Sequence, residues 1–273
     1  MKKILLAGLL LLMGAGAMAE TYSARLLNKQ TKEPVAYANI GIAEKGIGAI
    51  SDDNGSFTLA LSTAHDLDSL TISMIGYEAC KIRITDFKRI SMAKEPLYLL
   101  AKKRQLNEVV ITPKTLHHRQ LGNTANNKRT VFGFEQYRPG YEVGTHIKIK
   151  KTPTYIDSVR INVAKCEYDS IFLRLNIYEE VEGRMENILT EPIYISTDKA
   201  TAMTNLCIDL TRKNIVVKHD FILSVELVKD LGKKEMFFCA QIAGRRGYIR
   251  LTSQDKWRTM AILGPSLSAY VTY

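Results

Sequence analysis

Apolar and polar residues alternate along most of this chain. In the first third, Ile40 and Ile42 share one face, Phe57, Leu59 and Leu61 another, and Leu70, Ile72 and Met74 keep the same period of two. That period marks strands buried on one side. Residues 81–84 and 97–100 extend the series to about seven short strands, which predicts a sandwich over residues 20–100. Beyond residue 130 the pattern returns. Val159, Ile161 and Val163 alternate with Arg160 and Asn162; Ile171, Leu173, Leu175 and Ile177 alternate with Phe172, Arg174 and Asn176; Phe221, Leu223, Val225 and Leu227 alternate with Ser224 and Glu226. Each predicts a strand with one face in water. Further strands are expected at residues 145–150, 193–196, 215–218, 236–242 and 267–273. Turn-rich separators at 182–183, 230–232 and 244–247 divide about eight or nine strands into a jelly-roll-like sandwich over residues 131–273. The expected fold class is all-β, in two domains.

Turn residues refine the first domain. Asp53-Asn54-Gly55, between Ile50 and Phe57, is expected to close a hairpin, because Asn-Gly accepts positive φ angles. Asp52 and Asn54 lack the spacing and distal glutamate of a calcium loop, so the turn is preferred. Gly76, between Ile75 and Tyr77, predicts a bulge or a close backbone approach. Residues 101–130 change character: Lys102, Lys103, Arg104, Lys114, Arg119, Lys128 and Arg129 are offset by Glu108 alone. They read as a basic linker with a strand-like patch at 109–111. His117 and His118 are adjacent and therefore share no strand or helix face, so they read as exposed linker histidines rather than metal ligands.

Three runs carry a resemblance: Pro34-Val35-Ala36-Tyr37-Ala38-Asn39-Ile40, Ser51-Asp52-Asp53-Asn54-Gly55-Ser56-Phe57-Thr58-Leu59 and Ile72-Ser73-Met74-Ile75-Gly76-Tyr77-Glu78, followed by Leu106-Asn107-Glu108-Val109-Val110-Ile111. In that order they resemble the carboxypeptidase-regulatory-like domain that Bacteroidetes-type bacteria place on cell-envelope proteins. The resemblance runs from Tyr22 to Thr112, with Ala24-Arg25-Leu26 where the family usually opens on a glycine. It implies a seven-stranded regulatory-like β-sandwich and an envelope address, and no reaction. In family members the Glu-Val-Val-Ile exit often leads into the plug of a TonB-dependent transporter. About 160 residues follow it here, too few for a plug and a 22-stranded barrel, so association with a transporter is compatible and transport itself is not expected.

The amino terminus agrees with that address. Lys2 and Lys3 precede an apolar stretch from Ile4 to Leu12 and a small-residue end, Ala17-Met18-Ala19. This is the pattern of a secretory leader over residues 1–19, and it is too short and interrupted for a spanning helix. No later segment reaches 18 apolar residues, so no transmembrane helix is expected after cleavage, and the mature chain is expected in the periplasm or at the outer membrane. Losing the leader removes two of 38 cations and none of 28 acids, lowering the formal charge from +10 to +8. The remaining excess favours anionic envelope partners; export argues against nucleic acid. Cys80, Cys166, Cys207 and Cys239 contain no Cys-x-x-Cys, which excludes ribbon and thioredoxin-type sites and leaves three full disulfide pairings open beside the reading as buried small hydrophobes.

Chemistry is sparse. The histidines, His65, His117, His118, His146 and His219, form neither zinc-peptidase signature, Gly-x-Ser-x-Gly is absent, and Gly46-Ile47-Gly48 lacks the third glycine of a dinucleotide loop. A glycan-processing enzyme with two carboxylates leaves no motif and remains an alternative, as does a small outer-membrane barrel, suggested by Leu267, Ala269 and Val271 before a terminal Tyr273. No cofactor or metal is expected. Aromatics meet cations in turn-like context at Tyr137, Arg138 and Tyr141 and at Trp257 and Arg258, the candidate ligand contacts, although the preferred reading of Trp257 is a plug of the second core. The expectation is an exported, non-catalytic protein that binds an envelope protein or an anionic glycan.

Overall fold

A computed structural model describes residues 19–102, 116–204, 206–242 and 246–273. Residues 1–18 of the expected leader, the patch at 109–111 and part of the 244–247 turn lie outside these residues. The first domain holds β1 (Glu20–Asn28), β2 (Asn39–Ile42), β3 (Ile47–Ile50), β4 (Ser56–Leu61), β5 (Ser69–Ser73), β6 (Cys80–Arg83) and β7 (Leu97–Leu99), with helix α1 (Ile84–Ala93) before the last. Two sheets, β4-β1-β7 and β3-β2-β5-β6, face each other. Between them lie Leu26, Ile40, Leu59, Leu61, Leu70 and Ile72, all buried.

Two local expectations change here. The Asp53-Asn54-Gly55 turn forms, with Gly55 at φ +76° and the Asp52 carboxylate accepting from the amides of Asn54 and Ser56 at 2.8 Å. It does not close a hairpin, because β3 pairs with β2 and β4 pairs with β1; the turn carries the chain from one sheet to the other. A Cβ on Gly55 would lie 2.4 Å from the Leu26 carbonyl, which leaves room only for the strand crossing. Residues beyond Arg83 are helical rather than extended. Ile84, Phe87 and Lys88 recur at three and four positions and are buried, a helical spacing that the short strand reading overrode. Phe87 stacks on Phe57 at 5.7 Å, and its full burial contributes about 1.5–3 kcal/mol.

The second domain holds β8 (His118–Gly122), β9 (Val131–Phe134), β10 (Glu142–Ile147), β11 (Thr154–Ile161), β12 (Val163–Cys166), β13 (Ser170–Val181), β14 (Arg184–Asn187) and β15 (Ile193–Asp198). Helix α2 (Lys199–Thr204) follows, then β16 (Leu206–Asp209), β17 (Ile215–Val217), β18 (Phe221–Leu227), β19 (Met236–Ile242), β20 (Gly247–Arg250), β21 (Arg258–Met260), β22 (Leu263–Pro265) and β23 (Leu267–Thr272). The largest sheet runs β14-β13-β18-β10-β20-β21, with β15 also on β13; a second runs β16-β11-β23-β8, with β17 also on β11; a third runs β12-β19-β22, with β9 on β19. Their inward residues, among them Val143, Leu175, Leu223, Val159, Ala269 and Phe238, make one core. The strands exceed the expected number because several, such as β21 and β22, have three residues and leave no periodic trace.

The later part of the expected basic linker belongs to the second domain. Within residues 101–130, His118–Gly122 pairs with β23 and extends the second sheet, and Asn123 is buried, its amide donating to the Gly264 carbonyl at 2.8 Å. His117 and His118 are exposed as expected, but they stand at the sheet edge, where the Thr272 hydroxyl lies 2.9 Å from His118 Nδ1. Strand β23 lies between β11 and β8, with Leu267, Ala269 and Val271 turned into the core. The terminal alternation therefore faces protein, which removes the feature that suggested a barrel. All four cysteines are unbridged, Cys166 and Cys239 buried and Cys207 exposed. Among the described residues no helix is long and apolar enough to cross a membrane.

Candidate functional site

The outward faces of β13 and β18 were expected to be wet. They are among the driest places in the molecule: Arg174, Asn176, Ser224 and Glu226 are each at most 1% exposed. The register explains how such a polar face is satisfied. Glu226 lies opposite Arg174 on one side and Glu142 on the other, and Glu142 lies opposite Arg250. Four strands thus carry one row of alternate-face residues in the order Arg174, Glu226, Glu142, Arg250. Two carboxylates directly opposite repel, and the outer arginines offset that repulsion.

Geometry supports the assignment. Arg174 Nε and Nη2 both donate to Glu226 Oε2, at 3.0 and 2.7 Å, while Glu226 Oε1 is buried without a hydrogen-bond partner; charge-assisted bonds of this kind are among the strong ones. Arg250 donates to Glu142, the Ser224 hydroxyl donates to Glu142 Oε1 at 2.5 Å, and the Asn176 amide bridges Glu142 and Glu226 at 2.8 and 2.9 Å. Burial would raise both carboxyls. Glu142 is indeed raised, with Arg250 acting against the burial; for Glu226, Arg174, Arg250 and the hydrogen bonds outweigh burial and hold it below the ordinary range. Two carboxylates side by side are the arrangement sought for a glycosidase, but here both are 0% exposed and spent on arginines, so neither reaches a substrate.

The row is dry because the first domain sits on one end of it. Arg174 Nη1 donates to the Tyr37 carbonyl at 2.6 Å and lies 3.5 Å from Met74 Sδ. Tyr37 takes φ +57°, a costly backbone state for an aromatic residue, and its ring packs on Phe172 and Tyr194 at 5.0 and 5.3 Å. Ile75 reaches the second core, and a Cβ on Gly76 would stand 3.0 Å from the Thr190 carbonyl, the close approach its sequence context predicted. On the other side, the loop Thr252–Gln254 lies on two glycines paired across strands, Gly41 and Gly48. Ser253 Oγ donates to Asn39 Oδ1 at 2.8 Å, and the Gln254 amide donates to Ser73 Oγ at 2.7 Å.

Lys229 and Asp53 close the rim at 2.8 Å, with side chains 40% and 58% exposed. Lys229, then the Tyr37 hydroxyl, hold Asp53 below its ordinary range. A depressed carboxylate contributes its stability at neutral pH and loses it only as pH falls through the folded value. Because the pair is exposed, Asp53→Asn is expected to cost less than about 1 kcal/mol at pH 7, read as a small shift of the denaturant midpoint that high salt abolishes.

Residues 23–111 match the family of the CarboxypepD_reg-like domain. The first domain is a carboxypeptidase-regulatory-like domain. No curated protein matches the chain. Among solved structures, the infectious bursal disease virus Gx strain is similar at 13% identity over 93% of this chain and 55% of that one, with a TM-score of 0.26. The infectious bursal disease virus VP2 subviral particle gives 9% identity, 93% and 63% coverage and a TM-score of 0.25. BcpA, the major pilin subunit of Bacillus cereus, gives 11% identity, 90% and 69% coverage and a TM-score of 0.19. The chain spans 55% and 63% of the length of the two viral structures, and at these scores the likenesses bear on neither its fold nor its activity.

The runs that identify the regulatory-like domain are also the ones that dock it. Tyr37 and Asn39 come from the first run, Asp53 from the second, and Ser73, Met74, Ile75 and Gly76 from the third. The expected ligand contacts lie elsewhere and do not meet. Tyr141 is 5% exposed and packs edge-on against Phe134. Tyr137 is half-buried against the second core, its hydroxyl pushed up to about 12 chiefly by burial and then by Asp230. Only Arg138 of that run is exposed. Trp257 is half-buried, but not in the main core: it packs at 5.6 and 6.3 Å on Tyr178 and Tyr248 on the outer face of the largest sheet. The Arg250 guanidinium lies 4.7 Å from its ring centre, so Trp257 caps the far end of the charged row. Arg258 is exposed, 3.9 Å from Asp255.

Proposed function

We propose that this chain is an exported, non-catalytic envelope protein that acts by binding or assembly, with an envelope protein or an anionic glycan as its partner. The observation that carries the reading is the use made of the strongest acid pair: Glu142 and Glu226 are enclosed between Arg174 and Arg250 beneath a docked regulatory-like domain, an arrangement that rigidifies two domains into one surface rather than activating a water. Fixed relative orientation suits recognition of an extended partner, since the cost of ordering the domains is met before binding. The leader-like start and the basic balance of the chain support export and an anionic partner.

Cell fractionation of a tagged full-length chain, followed by mass determination of the mature form, tests the address. Recovery in periplasmic or outer-membrane fractions with about 19 residues removed is the expected result. An intact amino terminus in the cytosol, or turnover of an envelope polysaccharide by the purified protein, would end this reading.

A further inference from the structure

The face that carries the charged row does not stop at the docked domain. Two residues along each strand from that row stand Asn176, Ser224, Gly144 and Tyr248, and two further stand Tyr178, Ile222, His146 and Arg246. There the regulatory-like domain no longer covers the sheet, and a depression of about 460 Å³ opens, lined by Tyr178, Tyr248, His146, Glu180, Glu182 and Arg246 among others. A second, of about 620 Å³, adjoins it through His219 and Asp220 and carries Lys150, Lys151 and Lys218. Each falls within the range of small-ligand sites, about 300–1,000 Å³.

The charges in this double depression are unevenly used. Asp220 is occupied, its Oδ1 accepting from the Ile149 amide at 3.0 Å and its Oδ2 lying 3.9 Å from His146 Nε2. Glu179 accepts from the amides of Lys218 and His219 at 2.6 and 3.0 Å. The ammonium groups of Lys150, Lys151 and Lys218 have no carboxylate partner among the described residues. The first depression therefore offers the carboxylates of Glu180 and Glu182 beside tyrosines whose rings are largely buried, and the second offers cations with no carboxylate partner among the described residues. Tyr178 forms the floor, and its hydroxyl is held by Arg250 at 3.0 Å and by Glu142 at 3.3 Å, which fixes the ring in place.

We propose that this open end of the sheet face binds an acidic oligosaccharide, with a sugar ring in the first depression, its hydroxyls donating to Glu180 and Glu182, and its carboxylate or sulfate groups on the lysines of the second. The proposal rests on the binding reading above and gives it a place. A peptide is the weaker fit, because peptides add to free strand edges, whereas β13, β18 and β10 are each paired on both sides. Lysines over an open groove suit anionic groups carried on a hydrated polymer, and such contacts weaken with salt.

The test is titration calorimetry of the mature full chain with polygalacturonate oligosaccharides, with neutral dextran, poly-glutamate and anionic phospholipid vesicles as comparison arms. Saturable binding of the uronate oligosaccharide is expected, weakened roughly ten-fold or more by Lys150→Glu with Lys218→Glu and within about two-fold of wild type for the matched reversal Lys29→Glu with Lys81→Glu on the other domain. All four positions are exposed, and unchanged circular dichroism confirms the fold. Equal loss from both double reversals, equal or tighter binding of poly-glutamate, dextran or vesicles, or no uronate binding would overturn the groove. If the groove fails while an envelope partner is still captured from the fractionated cells, the binding reading stands; cytosolic recovery or glycan hydrolysis would defeat that reading independently of the groove.

Discussion

Replacing Arg174 by Met is expected to cost about 3–5 kcal/mol of folding stability at pH 7, the usual penalty for leaving one member of a buried ion pair behind. Three losses coincide. Glu226 keeps only the more distant Arg250 and the Asn176 amide, the Tyr37 carbonyl loses its donor, and the regulatory-like domain loses its central polar contact. The pH dependence separates this from a loss of packing. In the native protein Glu226 sits below its unfolded value, so its contribution is present at neutral pH and disappears as pH falls through the folded value. In the variant the same carboxyl is buried without its partner and rises above the unfolded value of about 4.3. Its contribution is then greatest below that value and is lost as pH rises. The deficit against wild type should therefore be larger at pH 7 than at pH 5. Denaturant unfolding at both values measures it, and a loss below about 1 kcal/mol that does not change with pH would contradict the role given to the row. Arg174→Met combined with Glu226→Leu should recover much of the loss, since an apolar pair of similar volume replaces a buried ion pair at little cost.

What the sequence revealed and what it concealed have the same origin. Period-two alternation located β13, β18, β19 and β23 closely, because each buries one face in a core that its own residues define. Alternation cannot say what lies over the other face. Arg174, Asn176, Ser224 and Glu226 read as solvated because polar residues ordinarily face water, and only a second domain more than a hundred residues away in the chain makes them interior. A trace existed: the outward positions of β13 and β18 near this row carry Arg, Asn, Ser and Glu and no lysine, and lysine is the side chain least able to stay charged when enclosed. Trp257 and Tyr141 were candidate ligand contacts; their rings pack against Tyr178, Tyr248 and Phe134. Helix α1 was hidden by its length, since two buried apolar residues, Ile84 and Phe87, at helical spacing are hard to distinguish from the end of a strand.

A second large effect is expected from Gly48→Val, and it tests the docking itself. Gly48 has an ordinary strand backbone, so valine suits β3 on its own account. The obstacle comes from outside the domain: a Cβ there would lie 2.5 Å from the Ser253 carbonyl oxygen and 2.9 Å from Thr252 Oγ1. Its cross-strand partner Gly41 meets the same carbonyl at 2.7 Å, so the loop cannot slide sideways to make room. Overpacking of this kind costs about 1–3 kcal/mol for a methyl group, and valine adds two more carbons. The regulatory-like domain should fold normally while separating from the second domain, which exposes the Arg174–Glu226 end of the charged row. Small-angle scattering should then show an expanded particle, and unfolding should split into two transitions, as expected when two domains lose their shared interface. Gly46→Asn is the control: Gly46 faces open space at φ +68°, asparagine tolerates that backbone state, and the compact particle should persist. A compact Gly48→Val protein with a single transition would mean that the glycine pair does not set the distance between the domains, and the rigidity assigned to the charged row would have to come from the row alone.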